Sequence, residues 1–299
     1  MDQLMPGLLK TIFSDYRTCL FALPLLMTAC NSATPVDEIS VGTSGVDMTE
    51  QAIGVSLDDS WPWWRGPDGN GIAKGEAPTS WNSEENIIWK TEVPGRGHPS
   101  PVVCGDAIYL ATADDENQLQ SVLAFDRESG EPRWSTVIHS GKFPSKGELH
   151  NKGTNANGTV ACDGERVYTA FLNDKKITAT ALDLSGKIVW QEVLGAFNSK
   201  FGYAPSPIIY KSAVIFAADN RGGGHVSALD RESGKVIWRK PRPEVASYSS
   251  PVIANVGGRD QLLISGAEQV VSIDPKTGDQ NWTCHGTAEA TCGTIVWDG

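Results

Sequence analysis

The tightest constraint on how this chain can fold is a phrase that returns along it. VLAFDRESGEPRW at 122–134, VSALDRESGKVIW at 226–238 and VVSIDPKTGDQNW at 270–282 share one layout: an apolar run closed by Asp, two residues, Ser or Thr with Gly, three residues, Trp. ATALDLSGKIVW at 179–190 is the same phrase one residue shorter. With Trp89 included, the recurring tryptophans Trp89, Trp134, Trp190, Trp238 and Trp282 stand 45, 56, 48 and 44 residues apart. That interval suits one four-stranded antiparallel unit and is longer than leucine-rich or helical repeats need.

Short β-rich runs fill the intervals in pairs. SPVV at 100 precedes AIYLATA, GTVA at 158 precedes RVYTAFLN, SPII at 206 precedes AVIFAADN, and SPVI at 250 precedes QLLISGAE. Each unit therefore reads as strand, polar turn, strand, loop, strand ending in Asp, Gly turn, strand carrying Trp. The expected fold is all-β, a β-propeller of four-stranded antiparallel blades. Residues 81–299 at about 45 per blade give about five blades, an incomplete ring, and GTIVWDG at 293–299 looks like the first strand of another.

The phrase has a physical reading. Asp126, Asp230 and Asp274 stand where a carboxylate oxygen bonds backbone N–H groups across a tight turn, while Gly130, Gly234 and Gly278 supply the left-handed conformation that closes it. The shortened copy keeps Asp183, Gly186 and Trp190. Trp134, Trp190, Trp238 and Trp282 fall on the last strand of each unit, where an indole can bridge to a neighbouring blade and bury about 200 Å².

The layout A-x-D-x-x-S/T-G-x-x-x-W is similar to the tryptophan-docking motif of the pyrroloquinoline-quinone (PQQ) type of β-propeller repeat. That repeat occurs in quinoprotein alcohol dehydrogenases and in the lipoprotein subunit of the bacterial outer-membrane barrel assembly machinery. WWRGPDGNG at 63–71 with GRGHPSPVV at 95–103 resembles a bacterial subfamily of PQQ-like propellers. The resemblance covers residues 61–299, and such propellers usually close with seven or eight blades. For the dehydrogenases it implies adjacent cysteines against the cofactor, a Trp floor, and an Asp base beside Ca²⁺. This sequence has no adjacent cysteines and no Asp-rich run with calcium-loop spacing. No cofactor is expected; PQQ with Ca²⁺ belongs to the alternative, a quinoprotein-like alcohol or sugar dehydrogenase.

The N-terminus differs in kind. Lys10 and Arg17 precede CLFALPLLMTA at 19–29, the length of a signal-peptide core and short for a membrane span. MTAC resembles a lipobox, with Met27 where Leu is usual, so residues 1–30 are expected to be an export signal of lipoprotein type with Cys30 the lipidation site. Acyl chains there would anchor the protein without a spanning helix. Asn31 after the cysteine favours an outer membrane, facing the periplasm. Residues 31–60 lack aromatics and are rich in Ser, Thr, Gly and acids, the composition of a disordered tether; the propeller follows over 61–299. Net charge is -11, which argues against nucleic-acid binding. Beyond Cys30, Cys284 and Cys292 are candidates for a disulfide in an oxidising compartment, and Cys104 and Cys162 read as small buried hydrophobes at equivalent places in their repeats.

No catalytic or metal-binding motif appears: there is no G-x-S-x-G elbow or zinc spacing, and GGG at 222–224 lacks the rest of a phosphate loop. The loops entering first strands and joining second to third strands share one face. They carry Arg96, His98, Asn157, Tyr203, Asp219, Arg221 and Tyr248, a candidate funnel for a protein partner or small polar ligand. The expected function is a non-enzymatic exported scaffold at a membrane surface, with the dehydrogenase and a carbohydrate-binding propeller as alternatives.

Overall fold

The computed structural model describes residues 47–145 and 147–297. Cys30 and the export segment lie outside the described residues.

Among the described residues, sixteen strands form four separate four-stranded sheets. Blade 1 holds β1 (Val102–Cys104), β2 (Ala107–Asp114), β3 (Leu119–Asp126) and β4 (Pro132–Ser140). Blade 2 holds β5 (Ala161–Cys162), β6 (Arg166–Asn173), β7 (Lys176–Asp183) and β8 (Ile188–Ala196). Blade 3 holds β9 (Ile208–Tyr210), β10 (Ala213–Ala217), β11 (Gly224–Asp230) and β12 (Val236–Arg242), and blade 4 holds β13 (Val252–Val256), β14 (Arg259–Gly266), β15 (Gln269–Ile273) and β16 (Gln280–His285). Strands neighbour one another in chain order within every sheet, and all pairs are antiparallel. The middle strands, such as β7 and β11, are buried almost throughout, so both sheet faces pack against neighbouring blades. The fourth strands β4 and β8 alternate toward solvent.

Four blades stand where about five were expected. Residues 81–96 carry Trp89 and lie against blade 1, but they join no strand ladder except at the single bridge through Arg96. Among the described residues no strand precedes Val102 to pair with this segment.

Fastenings between blades follow the repeat. The indole N–H of Trp89 donates to Arg127 O (3.0 Å), Trp134 to Leu184 O (2.9 Å), Trp190 to Arg231 O (3.0 Å) and Trp238 to Pro275 O (3.1 Å). Each ring thus covers the Asp–Gly turn of the next blade. Within the turns Asp126 Oδ1 accepts from the amides of Glu128 and Ser129, and Asp230 Oδ1 from that of Ser233. Gly186 holds φ +88° in the shortened turn, close to the +73° of Gly130 and Gly234, so the missing residue leaves its landing place intact. Trp282 differs: its indole bonds Gln261 Oε1 within its own blade and stays 39% exposed.

A second series runs through the hydroxyl residues that open the first strands. Ser100 N–H donates to Thr159 Oγ1 (2.9 Å), Thr159 N–H to Ser206 Oγ (3.0 Å) and Ser206 N–H to Ser250 Oγ (2.9 Å), passing from blade 1 to blade 4. This accounts for the recurring Ser or Thr in GTVA, SPII and SPVI, whose hydroxyls accept.

Two sequence expectations are corrected. The disulfide joins Cys104 and Cys162, at the ends of β1 and β5, with Cα atoms 6.3 Å apart, while Cys284 and Cys292 are free and exposed. Equivalent positions on neighbouring first strands converge, which proximity in sequence did not reveal. The tether expected over 31–60 is, from residue 47, an ordered strap under the blades, and its earlier part lies outside the described residues. Thr49 exchanges bonds with Ser212 of blade 3, Gly54 N–H donates to Asp163 O of blade 2 (2.6 Å), and Ser60 Oγ accepts from Gly105 of blade 1 (3.4 Å). Met48, Ile53 and Val55 pack on the cores. The strap holds because Arg231 and Arg127, the same residue of two DRESG turns, donate to its carbonyls: Arg231 to Gln51 O and Ala52 O, Arg127 to Asp59 O. It continues into WPWW, where Trp61 bridges Val103, Pro62 O accepts from Cys162 N–H, Trp63 enters the core, and Trp64 donates to Thr294.

Candidate functional site

One face of the blades carries the Asp–Gly turns and the strap. The opposite, upper face carries the hairpins between second and third strands and the connections entering each first strand. There the connection into blade 2, residues 141–160, is longer than its counterparts at 197–207 and 243–251. It arches over blade 2 and bounds a basin of about 710 Å³.

Four separate connections wall the basin. Lys142, Phe143, Pro144, Glu148 and Leu149 come from the long connection; Leu172, Asp174 and Lys175 from the blade 2 hairpin; Ala196 to Lys200 from the passage to blade 3; Arg221 and Gly222 from the blade 3 hairpin. Phe143, Leu149 and Leu172 are half-buried and Phe197 is buried, whereas the charged residues are exposed, so the floor is apolar and the rim charged. A volume of this order lies within the usual range for ligand pockets.

The rim charges are mostly paired. Lys142 bonds Asp174 (2.8 Å), Lys175 meets Glu148 (3.3 Å), and Arg221 meets Glu289 (2.8 Å). Hydrogen bonds from the Ser145 hydroxyl and amide, then Lys175, pull the Glu148 carboxyl down to about 2. Lys200 lies with its ammonium 5.8 Å from the Phe201 ring centroid, and among the described residues no carboxylate pairs with it. Asp174 and Lys175 form the two-residue hairpin turn with φ +50° and +59°, a left-handed pair that usually calls for Asn and Gly. Backbone strain is thus carried where a charged pair is presented to the basin.

Of the seven funnel residues expected from sequence, Arg221 alone lines this basin. Arg96 bridges Ala113 by its backbone and its guanidinium reaches Asn151 O (3.3 Å). His98 Nδ1 meets Asn157 Oδ1 at 3.1 Å, and the Asn157 amide donates to Thr154 O, Phe201 O and Tyr203 O, stapling two connections together. Asp219 is buried in a two-pronged pair with Arg242 (2.9 and 2.8 Å). Tyr203 is buried with no partner for its hydroxyl, and burial, with Asp219 nearby, drives its ionisation upward. The Tyr248 hydroxyl accepts from Ser199, and its ring meets Phe201 edge-on at 5.6 Å. Most of these polar groups hold loops together. The basin residues Lys142, Phe143, Lys175 and Phe197 escaped sequence reading, although the 56-residue interval between Trp134 and Trp190 marks the insertion that builds the basin.

The PQQ–calcium pattern does not fit the described residues. The disulfide joins cysteines 58 residues apart, and no group of three or more His, Cys, Asp or Glu side chains is placed to hold a metal ion.

Comparison with known proteins places the architecture. The chain is 26% identical over 145 residues to methanol dehydrogenase [cytochrome c] subunit 1 of Methylorubrum extorquens, covering 43% of this chain and 23% of that protein. It is 26% identical over 180 residues to the quinohemoprotein alcohol dehydrogenase ADH IIB of Pseudomonas putida, covering 59% and 23%. It spans about a quarter of the length of these relatives. The crystal structure of the quinohemoprotein alcohol dehydrogenase from Comamonas testosteroni superposes with a TM-score of 0.57 at 18% identity, over 78% of this chain and 42% of that one, a likeness of fold. A family model described as outer membrane protein assembly factor BamB matches residues 75–148 and 120–294, most of the folded region, and the chain belongs to that PQQ-like propeller family.

Proposed function

We propose that this chain is a non-enzymatic exported scaffold that holds a protein partner in its upper-face basin and is anchored to a membrane by acylation of Cys30. The observation that carries the reading is the basin itself: an apolar floor edged by exposed ion pairs, on a framework most of whose other polar loop residues are engaged internally. Membership of a family described by an assembly factor supports a protein partner. The resemblance of MTAC to a lipobox supports the anchor.

A photo-crosslinking amino acid placed at Arg221 in the native host is expected to give a discrete protein adduct, whereas the same group at Glu232, on the opposite face, gives none. Adducts from both positions or neither would sink the reading. Titrating the full chain with PQQ and Ca²⁺ while following tryptophan fluorescence tests the rival: saturable quenching with dye-linked alcohol oxidation would replace the scaffold by a dehydrogenase. Cys30→Ser is expected to move the protein out of the membrane fraction, and unchanged partitioning would refute the anchor.

A further inference from the structure

We infer that the basin selects an extended peptide segment in which acidic and large apolar side chains alternate; this rests on the scaffold reading above. The first ground is a local inversion of charge. The protein carries a net charge of -11, yet among the described residues the charged side chains lining the basin are the cations Lys142, Lys175, Lys200 and Arg221 against the acids Glu148 and Asp174, with Glu289 bonded to Arg221 from outside the lining. Both acids are already bonded to lysines, and Glu148 also accepts from Ser145. Lys200, which no carboxylate engages among the described residues, is the free attachment point.

The second ground is the layout of those cations. Each comes from a different connection bordering the basin. A ligand whose carboxylates are spaced along a chain meets them in turn. The Lys142–Asp174, Lys175–Glu148 and Arg221–Glu289 pairs are solvent-exposed, with side-chain exposures between 47% and 83%, and exposed pairs exchange partners readily. The third ground is the floor of Phe143, Leu149, Leu172 and Phe197, which takes apolar side chains between the carboxylates. An extended strand puts alternate side chains on opposite sides, so a two-residue alternation presents one kind to the floor and the other to the rim.

The test is fluorescence anisotropy with the full chain and three fluorescein-labelled decapeptides: alternating Asp and Phe, alternating Asn and Phe, and alternating Asp and Ser. The Asp–Phe peptide is expected to bind at least ~10-fold more tightly than either control, and to weaken between 50 and 500 mM salt, because exposed charge contacts are screened. Lys200→Glu is expected to weaken it by ~10-fold or more, Lys200→Arg to retain it, and Glu232→Lys on the opposite face to change nothing. Equal binding of the Asn–Phe peptide overturns acid selection, and equal binding of the Asp–Ser peptide overturns the floor. If no peptide binds while a crosslinker at Arg221 still captures a protein, the peptide class is wrong and the scaffold stands. If both fail, the scaffold reading falls as well. Unchanged far-ultraviolet dichroism and melting of the Lys200 variants guard against misfolding as the cause.

Discussion

At Gly234 an added Cβ would stand 2.6 Å from the indole of Trp190, and the backbone there holds φ +73°; Gly130, Gly186 and Gly278 repeat both facts with Trp89, Trp134 and Trp238. The glycine was legible in the sequence as a turn residue, but not as the landing place for the ring from the preceding blade, because that contact joins residues 40–52 positions apart. Trp238 is 4% exposed against 39% for Trp282. Trp238→Ala is therefore expected to cost about 3–5 kcal/mol by denaturant unfolding, and Trp282→Ala about 1 kcal/mol or less; equal losses would remove the stacking account. A second residue ties stability to acidity. Burial, with Arg239 nearby, pulls His225 down to about 4, and its Nε2 has no partner. Above the unfolded value near 6.5 the ring is neutral in both states. As pH falls toward 4 the unfolded chain takes up a proton that the folded one refuses, and up to about 3 kcal/mol of stability is lost. Unfolding midpoints between pH 4.5 and 7 are expected to slope less for His225→Gln than for the parent; parallel slopes would assign the loss elsewhere.

Among the elements, the strap departs most from what its sequence shows. Residues 47–60 offer few large apolar side chains, so hydropathy marks them as unable to order themselves. Their order comes instead from backbone groups taken up by Arg127, Arg231, Ser212 and Asp163, partners that composition does not reveal. Arg231 does more than hold the strap: it pairs with Asp163 at 2.6 Å with both side chains at most 1% exposed, and Tyr168 donates to the same carboxylate. Arg231→Met leaves that carboxylate buried without its cation and is expected to cost about 3–5 kcal/mol. Hydrogen exchange of the Thr49 and Gly54 amides should accelerate along with it. Exchange unchanged at those amides would show that the strap does not depend on Arg231. The four sheets, by contrast, were legible from strand pairs and the recurring Asp–Gly–Trp phrase, because both are local and repeated.

Across the whole molecule, fastenings are spread unevenly. Blades 1 and 2 share the disulfide, blades 2 and 3 the Asp163–Arg231 pair, and blades 3 and 4 the Trp238 stack with Arg242 reaching Gly266 O. The β16 strand of blade 4 is exposed at five of its six residues, unlike β12. Its amides are expected to exchange at least ~10-fold faster than those of β12, reflecting a local opening free energy well below the global one; matched rates would mean that the blades open as a single unit. The upper-face basin was hidden from sequence because its residues share no motif and meet only through the long connection over blade 2. The strap also gives the molecule a mechanical polarity. It meets blade 3 first, then blade 2, then blade 1, so a pull on residue 47 loads the Met48 packing and the Thr49–Ser212 contact before the attachments to blades 2 and 1. Its attachments yield one at a time, like a peeled seam, and the force reaches the Trp61–Val103 bridge and the blades only after those links have parted.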